Sequence, residues 1–140
     1  IILKNKITLP PSAFYPPRNR YRADSLIAFL DRNTKGDTVI IGLTGSDIST
    51  TKNGQKDWGV MGLGFQPGKA CVASDYRLDK RKRFEQLFKV AIHELEHTQG
   101  LAHCSEKFCF MRDAEGHNPT DEETSFCTKC KAVLAKKGWK

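Results

Sequence analysis

The sequence contains no apolar run approaching the roughly 18 residues that a helical membrane span requires. It shows no secretory leader either, because the apolar start Ile1-Ile2-Leu3 meets Lys4 at once. The chain opens on Ile rather than Met, which leaves its true start open. Internal repeats and low-complexity tracts are absent, so repeat arrays and disordered linkers are not expected. Acidic residues are the scarcer charge, 16 against 23 Lys plus Arg, giving +7. That balance suits acidic partners but carries no information about fold. What is present is 140 residues, 39% hydrophobic and 28% charged, the composition and length of one globular domain.

Cysteine is limited to five residues, an odd number. Four of them read Cys104-x4-Cys109, then 17 residues, then Cys127-x2-Cys130. A chain of this size folds without disulfide staples. Two close pairs separated by a loop match four-thiolate zinc coordination, in which each pair supplies two thiolates from one turn. This reading is preferred over two disulfides or scattered thiols. Cys71 stands apart in an apolar stretch and is expected to pack in the core.

Residues 8–22 hold four of the six prolines and predict an extended segment lying on a surface. Asp24 or Ser25 is the expected cap of a helix through Leu26, Ile27, Phe29 and Leu30, ending near residues 33–36. Residues 38–43 (TVIIGL) predict a buried central strand. Residues 44–57 are polar and turn-rich and predict a loop. Residues 58–65 and 70–74 predict a hairpin around Gln66-Pro67-Gly68. From about Lys80 to Gln99 the pattern is helical, with Phe84, Leu87, Phe88, Ala91, Ile92 and Leu95 forming one apolar stripe. Gly100 ends it. A short last helix is expected over residues 129–137.

That long helix carries His93-Glu94-Leu95-Glu96-His97. Residues four apart share a face, so both imidazoles can address one ion. Glu94 is rotated about 100° from His93, beside the metal rather than on it, where a carboxylate can take a proton from water. His103 follows the Gly100 turn, and the whole reads HELEHTQGLAH, or HExxHxxGxxH. Three protein ligands leave a position for water, which is the catalytic pattern for zinc. His117, in an Asn/Pro/Gly-rich stretch, reads as a surface residue.

The run HELEHTQGLAHCSEKFCFM followed by FCTKC resembles the archaemetzincins, a family of metzincin zinc metallopeptidases. The resemblance is strongest over residues 93–130 and extends in character over most of the chain. It implies an α/β (α+β, metzincin-like) fold: a mixed, mostly parallel twisted sheet with an antiparallel edge strand, backed by helices, and a Cys-rich C-terminal part. It implies that His93, His97 and His103 hold a catalytic zinc with Glu94 as general base. Cys104, Cys109, Cys127 and Cys130 would hold a structural zinc, two ions in all, with Met111 as the Met-turn. Glu96 departs from the family, which usually has Gly there, and the spacing from Met111 to the CxxC pair is slightly short. Glu96 shares the face of His93, so it must either point to solvent or crowd the segment packed over the helix.

The leading reading is therefore a single domain, 1–140. Residues 1–100 form its sheet and active-site helix, and residues 101–140 its third His, Met-turn, cysteine site and last helix. Its activity is zinc-dependent hydrolysis of peptide or protein substrates, with the hairpin's edge strand holding substrate extended. It is expected to be monomeric and cytoplasmic, with no membrane or nucleic-acid partner. A catalytically inactive zinc-binding relative is one alternative. Another is a basic zinc-ribbon nucleic-acid binder, motivated by Lys80-Arg81-Lys82-Arg83. No aromatics interleave with that run, and nucleic-acid binding gives no reason for a Glu beside two His ligands.

Overall fold

The structure, a computed structural model, describes residues 1–139. The proline-rich segment holds two single 3-10 turns, Pro11–Ala13 and Pro16–Arg18, framing β1 (Phe14–Tyr15), and then runs into β2 (Arg20–Arg22). Helix α1 spans Ala23–Asp31 and buries Ala23, Leu26 and Ile27. Its start differs from the expected Asp24 or Ser25 cap: Arg22 is the N-cap residue and supplies no side-chain hydrogen bond. Strand β2 leads straight into the helix, leaving no loop in which a capping side chain could fold back. Asp24 lies in the first turn instead, where its charge suits the helix dipole, and it accepts the Thr50 hydroxyl at 2.9 Å.

Five further strands follow: β3 (Ile40–Thr44), β4 (Ile48–Lys52), β5 (Gln55–Val60), β6 (Gly62–Gly64) and β7 (Ala70–Ser74). They fall into two mixed sheets, ordered β1-β2-β4-β5 and β3-β7-β6. Strand pairs β2–β4 and β3–β7 are parallel, and the other three are antiparallel. The fold class is the expected one, with β6 as the antiparallel edge strand, although the sheet is divided and parallel pairing is the minority.

Three local expectations are corrected. The supposed loop over 44–57 contains β4 and the first half of β5, joined at Asn53-Gly54, both with positive φ (51° and 78°). Asn-Gly is the pair that tight hairpin turns favour. The run 58–65 is split at Met61, so β5 and β6 belong to different sheets. The apolar strand at 38–43 begins at Ile40 and is an edge rather than the centre. Leu43 is 62% exposed, whereas all five residues of β7 are buried. An apolar, β-branched run signals a strand, but not its place in the order.

Helix α1 covers one face of the β3-β7-β6 sheet, packing Leu26 and Ile27 with Ile48, Ala70 and Val72. Burying each such side chain is worth about 1.5–3 kcal/mol. Helix α2 (Arg83–Thr98) crosses the other face, where Val90, Leu87 and Ala91 meet Ala73 and Leu78. The predicted stripe is therefore rotated from the buried one: Phe84 and Phe88 are exposed at 77% and 60%. Gln86, Val90, Glu94 and His97 turn inward instead. The 3.6-residue period finds a face but not which neighbour it meets. The residues after α2 are mostly irregular until α3 (Thr128–Lys136).

Candidate active site

Gly100 ends α2 with φ 92°. Its N–H donates to the His97 carbonyl at 2.8 Å and the Leu101 N–H to the Glu96 carbonyl at 3.0 Å, a Schellman ending. This turn returns the chain over the last helical residues. It places the Leu101 carbonyl 2.7 Å from His97 Nδ1 and His103 Nε2 3.2 Å from His97 Nε2. His93 and His97, one turn apart, have their Nε2 atoms 3.0 Å apart.

Each ring is oriented through its other nitrogen. His93 Nδ1–H donates to the Phe110 carbonyl at 2.6 Å, and His97 Nδ1–H to that of Leu101. His103 Nδ1 lies 3.4 Å from Asp113 Oδ2. A carbonyl only accepts, so His93 and His97 carry their proton on Nδ1 and present the Nε2 lone pair. Three Nε2 atoms converge, two of them lone-pair donors, and such an arrangement fits a cation. Ligands about 2.1 Å from a tetrahedral ion lie roughly 3.4 Å apart, close to the separations here. Burial, and then the charge His97 would carry, hold His93 at about 3, so it stays a neutral ligand. Burial lowers His97 as well.

Glu94 is 8% exposed and lies at the floor of a cleft of about 600 Å³ that includes the three histidines. Burial raises its carboxyl to about 8, against the opposing pull of the Gly64 backbone. Strand β6 runs close over it. A Cβ on Gly62 would fall 2.6 Å from Glu94 Cγ, and one on Gly64 would strike the Glu94 carbonyl. These glycines are a packing requirement for bringing the edge strand onto the helix.

Glu96 points inward. It is 0% exposed, and neither carboxylate oxygen has a hydrogen-bond partner. Of the two orientations open from the sequence, it takes the crowding one. Burial alone raises it to about 7, with no contribution from Glu94.

The four cysteines form a second cluster, with Cys104–Cys127 and Cys109–Cys130 Sγ separations of 3.6 and 3.7 Å. A disulfide requires about 2.05 Å. Sulfurs about 2.3 Å from one tetrahedral centre lie about 3.8 Å apart, so the donors fit a four-thiolate metal. The Met111 and Cys127 N–H groups donate to Cys109 Sγ. Met111 is fully buried against this cluster, and its carbonyl accepts the Cys104 N–H at 2.8 Å. Cys71 is buried in β7, its thiol pushed up to about 12 by burial and then by Glu94, consistent with a packing role. His117 is exposed at the cleft. In the basic run, Lys82 pairs with Asp121, Arg83 with Asp75 and Arg81 with Asp79.

The sequence matches the profile of peptidase family M54 over residues 1–136. The chain belongs to that family. M54 relatives include the archaemetzincin of Halobacterium salinarum, 28% identical, aligned over 96% of this chain and 82% of its own. That of Methanopyrus kandleri is 31% identical, over 95% and 76%. The Methanopyrus kandleri archaemetzincin crystal structure superimposes with a TM-score of 0.78, covering 91% of this chain and 71% of that one at 30% identity. The Archaeoglobus fulgidus archaemetzincin, complexed with malonate, gives 0.72 at 27% identity, over 89% and 75%. As an M54 member the chain is a zinc-dependent metallopeptidase whose substrates are peptides. No helix among the described residues is long and apolar enough to cross a membrane.

Several contributors to this site escaped the sequence reading: Asp113, the Phe110 and Leu101 carbonyls, Gly62 and Gly64. Carbonyls leave no sequence signal. The Gly62-x-Gly64 pair inside a strand did carry one, since glycine there marks close backbone approach.

Proposed function

We propose that His93, His97 and His103 hold the catalytic zinc, that Glu94 is the general base, and that Cys104, Cys109, Cys127 and Cys130 hold a second, structural zinc, with Met111 as the turn between them. The observation carrying this is the meeting of three Nε2 atoms in the cleft that the buried Glu94 also lines. When bound, zinc supplies a Lewis acid that polarises the scissile carbonyl and makes water more acidic.

The residues of the chain do the rest. Glu94 takes a proton from the attacking water and returns it to the leaving amine. A carboxyl raised by burial is a stronger base once ionised, which suits that exchange. The free edge of β6 lies along the cleft and can pair an extended substrate through its main chain. Residues 1–140 act as one monomeric domain in this reading. The cytoplasm is the matching compartment, because thiolate ligands must stay reduced. Zinc analysis and peptide cleavage on wild type and Glu94→Gln test it. Two zinc ions in both proteins, and cleavage only in the first, are expected.

A further inference from the structure

The cleft holds an acidic group that this mechanism does not use. Glu123 lines it together with His93, Lys89, Asn118 and Thr120, and is only 4% exposed. Among the described residues its carboxylate has no hydrogen bond and no cation within 4.0 Å. The nearest cations are committed elsewhere. Lys89 Nζ lies 3.0 Å from Glu85 and donates to the Thr120 carbonyl at 2.8 Å. Arg112 Nη1 lies 3.0 Å from Glu122 and donates to the Lys107 carbonyl.

A buried charge without a direct partner is costly, and burial raises Glu123 to about 7 although Lys89 and Arg112 pull it down from a distance. An arriving cation removes that cost, so the energy of pairing becomes available to binding. Lys89, whose charge Glu123 feels, sits one helical turn before His93. Glu123 and the three histidines line one cleft, so a peptide bound across it can address both.

We propose that Glu123 forms a subsite for a cationic group of the peptide substrate. The cation is either a Lys or Arg side chain or the free N-terminal amine. The inference rests on the peptidase reading above and names its substrate class.

The test uses peptides that carry Lys or norleucine at each position in turn, N-acetylated or free. Binding is read by fluorescence anisotropy on the zinc-loaded Glu94→Gln protein, and cleavage on the zinc-loaded wild type. At one position Lys should bind about tenfold or more tighter than norleucine. Adding Glu123→Gln should bring that ratio close to one while binding of norleucine peptides and zinc content hold. Glu123→Asp, which keeps the charge, should retain a preference. A gain carried by the free amine and lost on acetylation identifies the N-terminus as the cation. An unchanged ratio in Glu123→Gln overturns the proposal, as does no ratio in wild type, a result that needs no variant to fold. In either case cleavage of neutral peptides leaves the peptidase reading intact. If zinc-loaded wild type neither binds nor cleaves any peptide, that reading falls and this subsite falls with it.

Discussion

His93 Nδ1 lies 2.6 Å from the carbonyl of Phe110, and Phe110 directly follows Cys109. The ring that heads the histidine cluster is thus oriented by a peptide group anchored in the cysteine cluster. Met111, next in sequence, extends the link through its carbonyl to the Cys104 N–H. One chain segment serves both groups of donors.

The first prediction follows from this link. Cys127→Ser should lose the thiolate-bound zinc and lower melting temperature, because structural zinc contributes directly to folding. It should also weaken zinc at the histidines, about 10–100-fold, by loosening the Phe110 carbonyl. In the wild type a mild chelator should strip the histidine-bound ion first. Metal titration with a competing chelator reads both effects, and equal histidine-site affinity in Cys127→Ser would show the two clusters to be independent.

Asp113 should act on His103 in the same way. Asp113→Asn should lower zinc affinity about 10–100-fold while kcat at saturating zinc changes little. Its charge, not only its reach, matters, because a His103 that gives its Nε2 lone pair to a metal turns Nδ1–H toward this carboxylate. A variant with unaltered zinc affinity would reduce the 3.4 Å contact to a surface pairing.

Gly62→Ala tests the approach of β6 to Glu94, the proposed general base. The added methyl would overlap Glu94 Cγ, so the carboxylate or the strand must move. A displacement of about 1 Å in such a site lowers kcat/KM about 100-fold. Glu94→Gln should cost about 10²–10⁴-fold. Both should retain zinc. Full activity in Gly62→Ala would mean that the strand yields without disturbing Glu94.

Glu96 should be a stability liability. Its two carboxylate oxygens are buried without partners. Replacing it with Met removes the desolvation penalty and nearly conserves volume, so Glu96→Met should stabilise by about 1–3 kcal/mol near neutral pH. Urea denaturation at fixed zinc measures this, and a destabilised variant would reveal a partner that only the working protein recruits.

Glu123 gives the pH dependence its sign. Its carboxyl rises from 4.5 to about 7 on folding, so between those values the folded state binds more protons than the unfolded one. Stability attributable to this group therefore falls as pH rises from about 4.5 to 7 and is level above. Glu123→Gln should flatten that part of the stability curve by roughly 1–3 kcal/mol. A parallel curve in the variant would place the slope elsewhere.

The sequence by itself determined which residues can carry the proposed chemistry. The i, i+4 pair His93 and His97, the Gly100 break, His103 and the paired cysteines announce their proposed roles through spacing along the chain. Each depends on local geometry: a helical period, one left-handed residue, two tight turns. The last helix was legible for the same reason, and so was the β6–β7 hairpin. Tertiary structure decided what spacing cannot encode. The edge position of β3, the rotated face of α2 and the inward turn of Glu96 depend on which surfaces meet. So do the pairing of His93 with Phe110 across 17 residues and the isolation of Glu123 in the cleft wall. A period names the residues that share a face, and only packing chooses the neighbour that face will meet.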